Sequence, residues 1–327
     1  MDLVGFDIGG TKCTVILGAL DGNDGITIVD KQVILTSRYP APGEMIPRMQ
    51  GAMEDILRKH GIDRSSVGSI GISCGGPLDS RRGVILSPPN LPGWDNVHIV
   101  DDLYSLYGIR TGLQNDANAC ALAEWKFGAG RGFSNLVFLT FGTGMGAGLI
   151  LNGTLYEGTN DNAGEVGHIR LEDDGPVGYG KAGSFEGFCS GGGIMQLART
   201  MAAEALKLNR KSLLFNNPGD IDKITTLGVA ESANAGDALA KEIFQVCGRY
   251  LGRGLSVLID ILNPEIIILG SIYVRAAALL QPALSESLER EALSLSRKVC
   301  RIVPAGLGES IGDYAALSVA ANFLKKK

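Results

Sequence analysis

Leu3-Val4-Gly5-Phe6-Asp7-Ile8-Gly9-Gly10-Thr11-Lys12-Cys13-Thr14-Val15-Ile16-Leu17-Gly18 sets two apolar runs on either side of a glycine turn. Apolar, β-branched runs bounded by glycines read as strands, and so short a turn joins them as a hairpin, with no crossover helix. The theme returns farther along: Val137-Phe138-Leu139-Thr140-Phe141, then Gly142-Thr143-Gly144-Met145-Gly146-Ala147, then Gly148-Leu149-Ile150-Leu151. One strand–glycine turn–strand unit in each half reads as an internal duplication and predicts two α/β domains.

The segments between fit this reading. Ile46, Met49, Met53, Ile56 and Leu57 recur at helical spacing. Gly68 to Ser73 reads as a buried strand broken by Cys74-Gly75-Gly76-Pro77. Asn118 to Phe127 reads as a helix, and so does Leu239 to Ile259, which Asn263-Pro264 terminates. Ile266-Ile267-Ile268-Leu269 is apolar throughout, as in a strand covered on both faces. A last helix spans Gly312 to Leu324, and Lys325-Lys326-Lys327 reads as a solvated terminus.

Composition excludes several classes of function. Thirty Lys and Arg against 35 Asp and Glu give a net charge of −5, which is no electrostatic footprint for nucleic acid. The 45% hydrophobic content is too high for a disordered chain. No run of about 18 uncharged apolar residues is present, so no membrane span is expected. The first residues lack a charged, cleavable leader pattern. Six scattered cysteines form no CxxC pair, and fit a reducing cytoplasm better than a disulfide or zinc framework. Glycine, at 46 of 327 residues, is roughly double its usual share, which points to many tight turns and close backbone–ligand approaches.

Four polar and glycine-rich clusters can carry chemistry. In the first, Gly9 and Gly10 let backbone N–H groups approach an anion, Thr11 and Lys12 add a hydroxyl and a charge, and Asp7 can hold Mg²⁺ through water. The second, Gly142, Thr143, Gly144 and Gly146, offers the same cradle. A strand follows it where a dinucleotide fingerprint would open a helix, and it has no P-loop Gly-Lys-Ser/Thr. In the third, Asn115-Asp116, the aspartate reads two ways, as a helix cap or as a general base facing a substrate hydroxyl. In the fourth, Glu165 and His168 followed by Glu186 present groups suited to pairs of sugar hydroxyls.

Taken together, these clusters resemble the ROK family of sugar kinases over nearly the whole chain. Asp7–Lys12 and Gly142–Gly146 resemble its two phosphate loops, and Asn115-Asp116 its catalytic pair. Gly158-Thr159-Asn160-Asp161-Asn162-Ala163-Gly164-Glu165-Val166-Gly167-His168 matches a long family segment. Asn90-Leu91-Pro92-Gly93-Trp94 and Ile268-Leu269-Gly270-Ser271 match in order.

The resemblance implies the two-domain actin, hexokinase and Hsp70-like ATPase fold, with nucleotide and sugar in the interdomain cleft; with the repeated strand–turn–strand theme it places the smaller domain over 1–118 plus 308–327 and the larger over 119–307. It implies ATP-dependent phosphorylation of a hexose, usually at the 6-hydroxyl, with Asp116 as the base. Gly76, Asn90, Asn115, Glu165, His168 and Glu186 would contact the sugar. Gly270 and Ser271 would lie near adenosine, and Mg²⁺ would accompany ATP. A cytoplasmic homodimer is expected, with a small-molecule sugar as ligand. Glucose or a related unmodified hexose ranks ahead of N-acetylmannosamine or N-acetylglucosamine.

Many family members hold zinc with one His and three Cys. Here Val177, Tyr179 and Ser184 stand at the cysteine positions, so no zinc is expected although His168 and Glu186 remain. The family also contains repressors with an added helix-turn-helix domain. With the phosphate loop opening at Asp7, none is expected here. A sugar-binding protein without catalysis is disfavoured by Asp116, Lys12 and Thr11.

Overall fold

The computed structural model describes residues 1–22 and 25–325; of the lysine terminus, Lys326 and Lys327 lie outside the described residues. The chain divides into two compact units, 1–138 with 148–163 and 306–327, and 139–147 with 164–305.

The first unit begins with the expected hairpin, β1 (Asp2–Ile8) and β2 (Lys12–Leu20), extended by β3 (Ile26–Leu35). Helix α1 (Pro42–Lys59), strand β4 (Val67–Cys74) and a small ribbon, β5 (Leu78–Asp79) with β6 (Val84–Ile85), follow. Then come α2 (Ile99–Tyr107), β7 (Thr111–Asn115) and α3 (Asp116–Phe127). The main sheet has the order β3-β2-β1-β4-β7. Its first three strands are antiparallel, whereas β1, β4 and β7 run parallel.

One face of this sheet carries the methionines and leucines of α1, with Met45, Met49, Met53 and Leu57 at most 2% exposed. The other face receives α10 (Ile311–Lys325). Gly5, Gly71 and Gly112 are register neighbours across β1, β4 and β7. A Cβ on Gly71 would stand 2.2 Å from Ala316 O and Ala320 N, and one on Gly112 would stand 2.2 Å from the Phe323 ring. The row of missing side chains brings the helix onto the sheet at backbone distance, and Ser69 Oγ donates to Ala320 O at 2.8 Å. Ala119 of α3 packs with Ala315 and Val319 of α10. That packing keeps residues 119–138 in the first unit, whereas the sequence reading broke the chain after 118.

A second sheet has the order β10-β9-β8-β13-β14, with β8 (Leu136–Phe141), β9 (Met145–Leu151), β10 (Thr154–Leu155), β13 (Ile266–Leu269) and β14 (Arg301–Pro304). The second unit holds β13, β14 and the ribbon β11 (Val177–Gly178) and β12 (Lys181–Ala182). Its helices are α4 (Phe185–Phe188), α5 (Gly191–Lys207), α6 (Thr226–Asn234), α7 (Ala238–Leu262), α8 (Ile272–Glu291) and α9 (Ser294–Val299). Asn263 ends α7 in the left-handed conformation, its N–H donating to Ile259 O, and Pro264 follows as expected from the sequence. No helix among the described residues is long and apolar enough to cross a membrane.

Candidate active site

In the first unit the sequence-predicted residues meet at the C-terminal ends of parallel strands, where open α/β sheets place their ligands. Register pairs Asp7 with Ser73 and Ile8 with Cys74, then Cys74 with Asn115. The β1–β2 turn is closed by the Gly9 N–H donating to Lys12 O at 3.1 Å. Thr36 steadies it from β3's end, its Oγ1 donating to Gly9 O at 2.7 Å and its N–H to Thr11 O at 3.1 Å. Gly10, Thr11 and Lys12 are exposed.

Asn90 is brought to this turn by its neighbours. Leu91 and Trp94 are at most 1% exposed, and Trp94 Nε1 donates to Pro40 O at 2.9 Å, which leaves Asn90 at the surface. A Cβ on Gly10 would stand 2.5 Å from Asn90 O, one on Gly75 3.5 Å from Asn90 Oδ1, and one on Gly76 3.2 Å from Asn115 Nδ2. Gly76, Asn90, Asn115 and the first glycine turn are therefore near neighbours.

The two readings of Asp116 separate here. The N-cap of α3 is Asn115, whose Oδ1 accepts the Ala117 N–H at 2.9 Å and the Asn118 N–H at 3.5 Å. Asp116 occupies the first helical position, is exposed, and shares the Ala117 N–H at 2.8 Å. Gln114 fixes the strand end from behind. Its Oε1 accepts from Asn115 N and Asn118 Nδ2, while its Nε2 donates to Glu157 Oε1 at 2.7 Å.

Asp7 stands among like charges. Burial first, then Asp116, raises its pKa to about 7; Asp313 adds to the rise, while a hydrogen bond from Ser73 and the charge of Lys12 oppose it. Ser73 and Asp313 are functional candidates that the sequence reading missed. Ser73 faces Asp7 only through parallel pairing, and Asp313, bonded to Lys31 Nζ at 2.6 Å, is more than 300 residues away. No local spacing signals either.

This has a pH consequence. The folded chain binds the Asp7 proton more tightly than the unfolded chain does. The stability contributed is present in full below the unfolded pKa near 3.8 and is lost as pH rises to about 7. Asp7→Asn cannot ionise, so at pH 8 it should be more stable than the wild type by up to about 4 kcal/mol, and at pH 4 the two should converge. Nucleotide-free melting of both proteins at pH 4, 6 and 8 measures the difference. A gap that does not widen with pH contradicts the assignment.

In the second unit the β8–β9 turn holds the second glycine cluster. Thr140 Oγ1 accepts the Gly146 N–H at 2.8 Å, Glu186 Oε2 accepts the Met145 N–H at 3.0 Å, and the Gly191 N–H donates to Gly142 O at 2.7 Å. Thr143 is exposed at the tip. Ser271 adjoins this turn, its Oγ 3.5 Å from where a Gly142 Cβ would stand, and Gly270 is tied to β8 through Leu139 O.

Gly164, at φ 92°, lies so close to the strand that a Cβ would meet Ala147 O at 2.0 Å. Only glycine fits, and the turn it makes delivers Glu165 and His168 beside Glu186. Partial burial, then the charge of Glu186, raises the Glu165 pKa, while His168 opposes the rise.

The residues present do not fit zinc. Among the described residues no group of three or more His, Cys, Asp and Glu side chains is placed to hold a metal ion. Ser184 Oγ is engaged as the α4 cap, accepting the Gly187 N–H at 3.0 Å. Cys189 is buried with its Sγ against Cys247 O. Metal analysis of purified protein is expected to find no stoichiometric zinc, and Mg²⁺ alone should restore activity after chelation. Restoration that requires zinc would sink this expectation.

A model of the ROK family matches residues 3–322. The chain is 31% identical over 320 residues to a glucokinase of Thermotoga maritima, covering 98% of this chain and 97% of that protein. It is 27% identical over 314 residues to the DNA-binding transcriptional dual regulator NagC of Escherichia coli, covering 94% of this chain and 75% of the regulator. Among solved structures, a ROK family glucokinase from Streptomyces griseus in complex with glucose and AMPPNP matches with a TM-score of 0.77 at 29% identity, over 98% of this chain and 100% of that one. The fold is the mixed α/β, actin and hexokinase-like ATPase fold of the ROK sugar kinases. The family match along almost the whole sequence, joined to this likeness in structure, makes the chain a member of the ROK family.

Proposed function

We propose that this ROK-family sugar kinase transfers the γ-phosphoryl group of ATP to a hexose, at the 6-hydroxyl of glucose or a close relative. One observation carries the reading. Asn115 caps α3, so Asp116 is held exposed at the helix start, next to Asp7 and the first glycine turn, with the capping role already filled. The Thermotoga glucokinase and the Streptomyces enzyme with glucose and AMPPNP support the choice of sugar and nucleotide.

In this mechanism the sugar hydroxyl donates a hydrogen bond to Asp116. As the hydroxyl oxygen bonds to the γ-phosphorus, its proton passes to the carboxylate. The bond from that phosphorus to the bridging oxygen breaks, and ADP leaves. By the family resemblance, Gly76, Asn90, Asn115, Glu165, His168 and Glu186 hold the remaining sugar groups. Lys12, Thr11 and the N–H groups of Gly9, Gly10, Gly142, Thr143, Gly144 and Gly146 offset phosphate charge, with Gly270 and Ser271 at the adenosine.

Mg²⁺ would be held at Asp7 through water, where the charges of Asp116 and Asp313 favour a divalent cation. There it would neutralise phosphate charge. A homodimer is the proposed solution state, checked by sedimentation. The functional test is ADP release across glucose, fructose, mannose, N-acetylmannosamine and N-acetylglucosamine, with the product identified by phosphorus NMR. Glucose 6-phosphate is expected. A clear preference for an N-acetylhexosamine would overturn the choice of sugar, and no sugar-dependent ADP release would overturn the kinase reading.

A further inference from the structure

The β11–β12 ribbon is rooted in the second unit and ends beside His168. Gln196 of α5 grips its base at both polar groups of Val177: Oε1 accepts the Val177 N–H at 3.0 Å, and Nε2 donates to Val177 O at 2.9 Å. Gly178 lies against α4, where a Cβ would stand 2.5 Å from Gly187 N. At the tip, the Tyr179 ring meets the His168 ring edge to face, with centroids 5.3 Å apart and planes at 84°. From the returning strand, Lys181 Nζ donates to His168 O at 2.6 Å. His168 is thus held at its ring and at its backbone by one ribbon.

Tyr179 is a costly residue to keep at this position. Its φ is 44°, in the left-handed region that glycine or asparagine occupies at less cost. It is also 69% exposed, so little apolar burial offsets the strain. Backbone strain of this kind is retained where the side chain serves the site, and the contact shown by the Tyr179 side chain is with His168.

The geometry points to Tyr179 and Lys181 as positioning residues that fix the ring and backbone of His168, so that the imidazole meets a sugar hydroxyl in one pose. This rests on the reading of His168 as a sugar contact. Neither residue takes part in proton or phosphoryl transfer, so their loss weakens sugar binding and leaves the chemical step alone.

The chain has three histidines, so the ring carbon–proton spectrum carries three Cε1–H signals, one per histidine, and His168→Gln assigns one of them. Tyr179→Gly removes the ring and relieves the backbone, while Tyr179→Phe keeps the ring. The glycine variant should move the His168 signal, spare those of His60 and His98, and melt no lower than the wild type. It should raise the sugar KM about three- to tenfold, on the scale of one lost hydrogen bond, with kcat and the ATP KM unchanged. Tyr179→Phe should match the wild type throughout. Lys181→Met should raise the sugar KM, and Lys181→Arg should restore it.

An unmoved His168 signal in Tyr179→Gly overturns the proposal. So does a phenylalanine variant as impaired as the glycine one, or a fall in melting temperature that accounts for the kinetic loss. If the wild type phosphorylates no sugar, the kinase reading fails, and the histidine signal still decides whether the ribbon holds the ring.

Discussion

Asp116→Asn is expected to lower kcat by 10²- to 10⁴-fold, about 2.7–5.5 kcal/mol of barrier, the usual cost of losing a general base. The fold should scarcely notice, because Asn115 keeps its capping bonds to the Ala117 and Asn118 N–H groups and the amide oxygen at 116 can still share the Ala117 N–H. An amide still bonds a hydroxyl, so sugar affinity should fall only modestly. The measurement is kcat, sugar affinity and melting temperature for the two proteins side by side. A variant that keeps more than about a tenth of the wild-type kcat, a loss below the low end of that range, shows that some other group takes the proton. A large drop in melting temperature would instead make Asp116 a structural residue.

Gly71→Ala should be among the most damaging single-methyl additions in the chain. The added carbon would lie 2.2 Å from two backbone atoms of α10, and backbone cannot rotate aside as a side chain can. The helix must lift from β4. Overpacking of this kind costs about 3 kcal/mol or more, roughly a 6–12 °C loss of melting temperature for a domain of this size. Gly51 is the control. It is exposed inside α1, with nothing within 4 Å of a Cβ, so Gly51→Ala should stabilise by about 0.5–1 kcal/mol. Equal effects at the two positions would mean that α10 does not press on the sheet at Gly71.

Much of this architecture is legible in the sequence because its signals are local. Both glycine turns announce their hairpins, Asn263-Pro264 marks the end of α7, and helical spacing finds α1. What escaped the sequence reading depends on pairing at a distance. Ser73 reaches Asp7 only because β1 and β4 run in parallel register. Asp313 arrives on a helix that returns from the far end of the chain.

Two long helices were also missed, for local reasons. α5 opens on Gly191-Gly192-Gly193, poor helix formers that rely on the Ser190 cap. α8 carries Pro282 and a non-helical break at Ala276. The capping question at Asn115-Asp116 has the same origin. Both residue types cap helices well, and only the geometry shows which one does so.

The docking of α10 also sets an order of events during synthesis. The first unit takes its last helix from residues 311–325, which follow the whole 164–305 stretch of the second unit. Until they emerge from the ribosome, the glycine row of β1, β4 and β7 has nothing to receive, and the apolar face around Leu3 and Ile16 lies open. The second unit, most of it one continuous stretch, has no such wait. The half made first is therefore completed last, and through this interval the nascent chain presents a sheet face that chaperones or aggregation compete to cover.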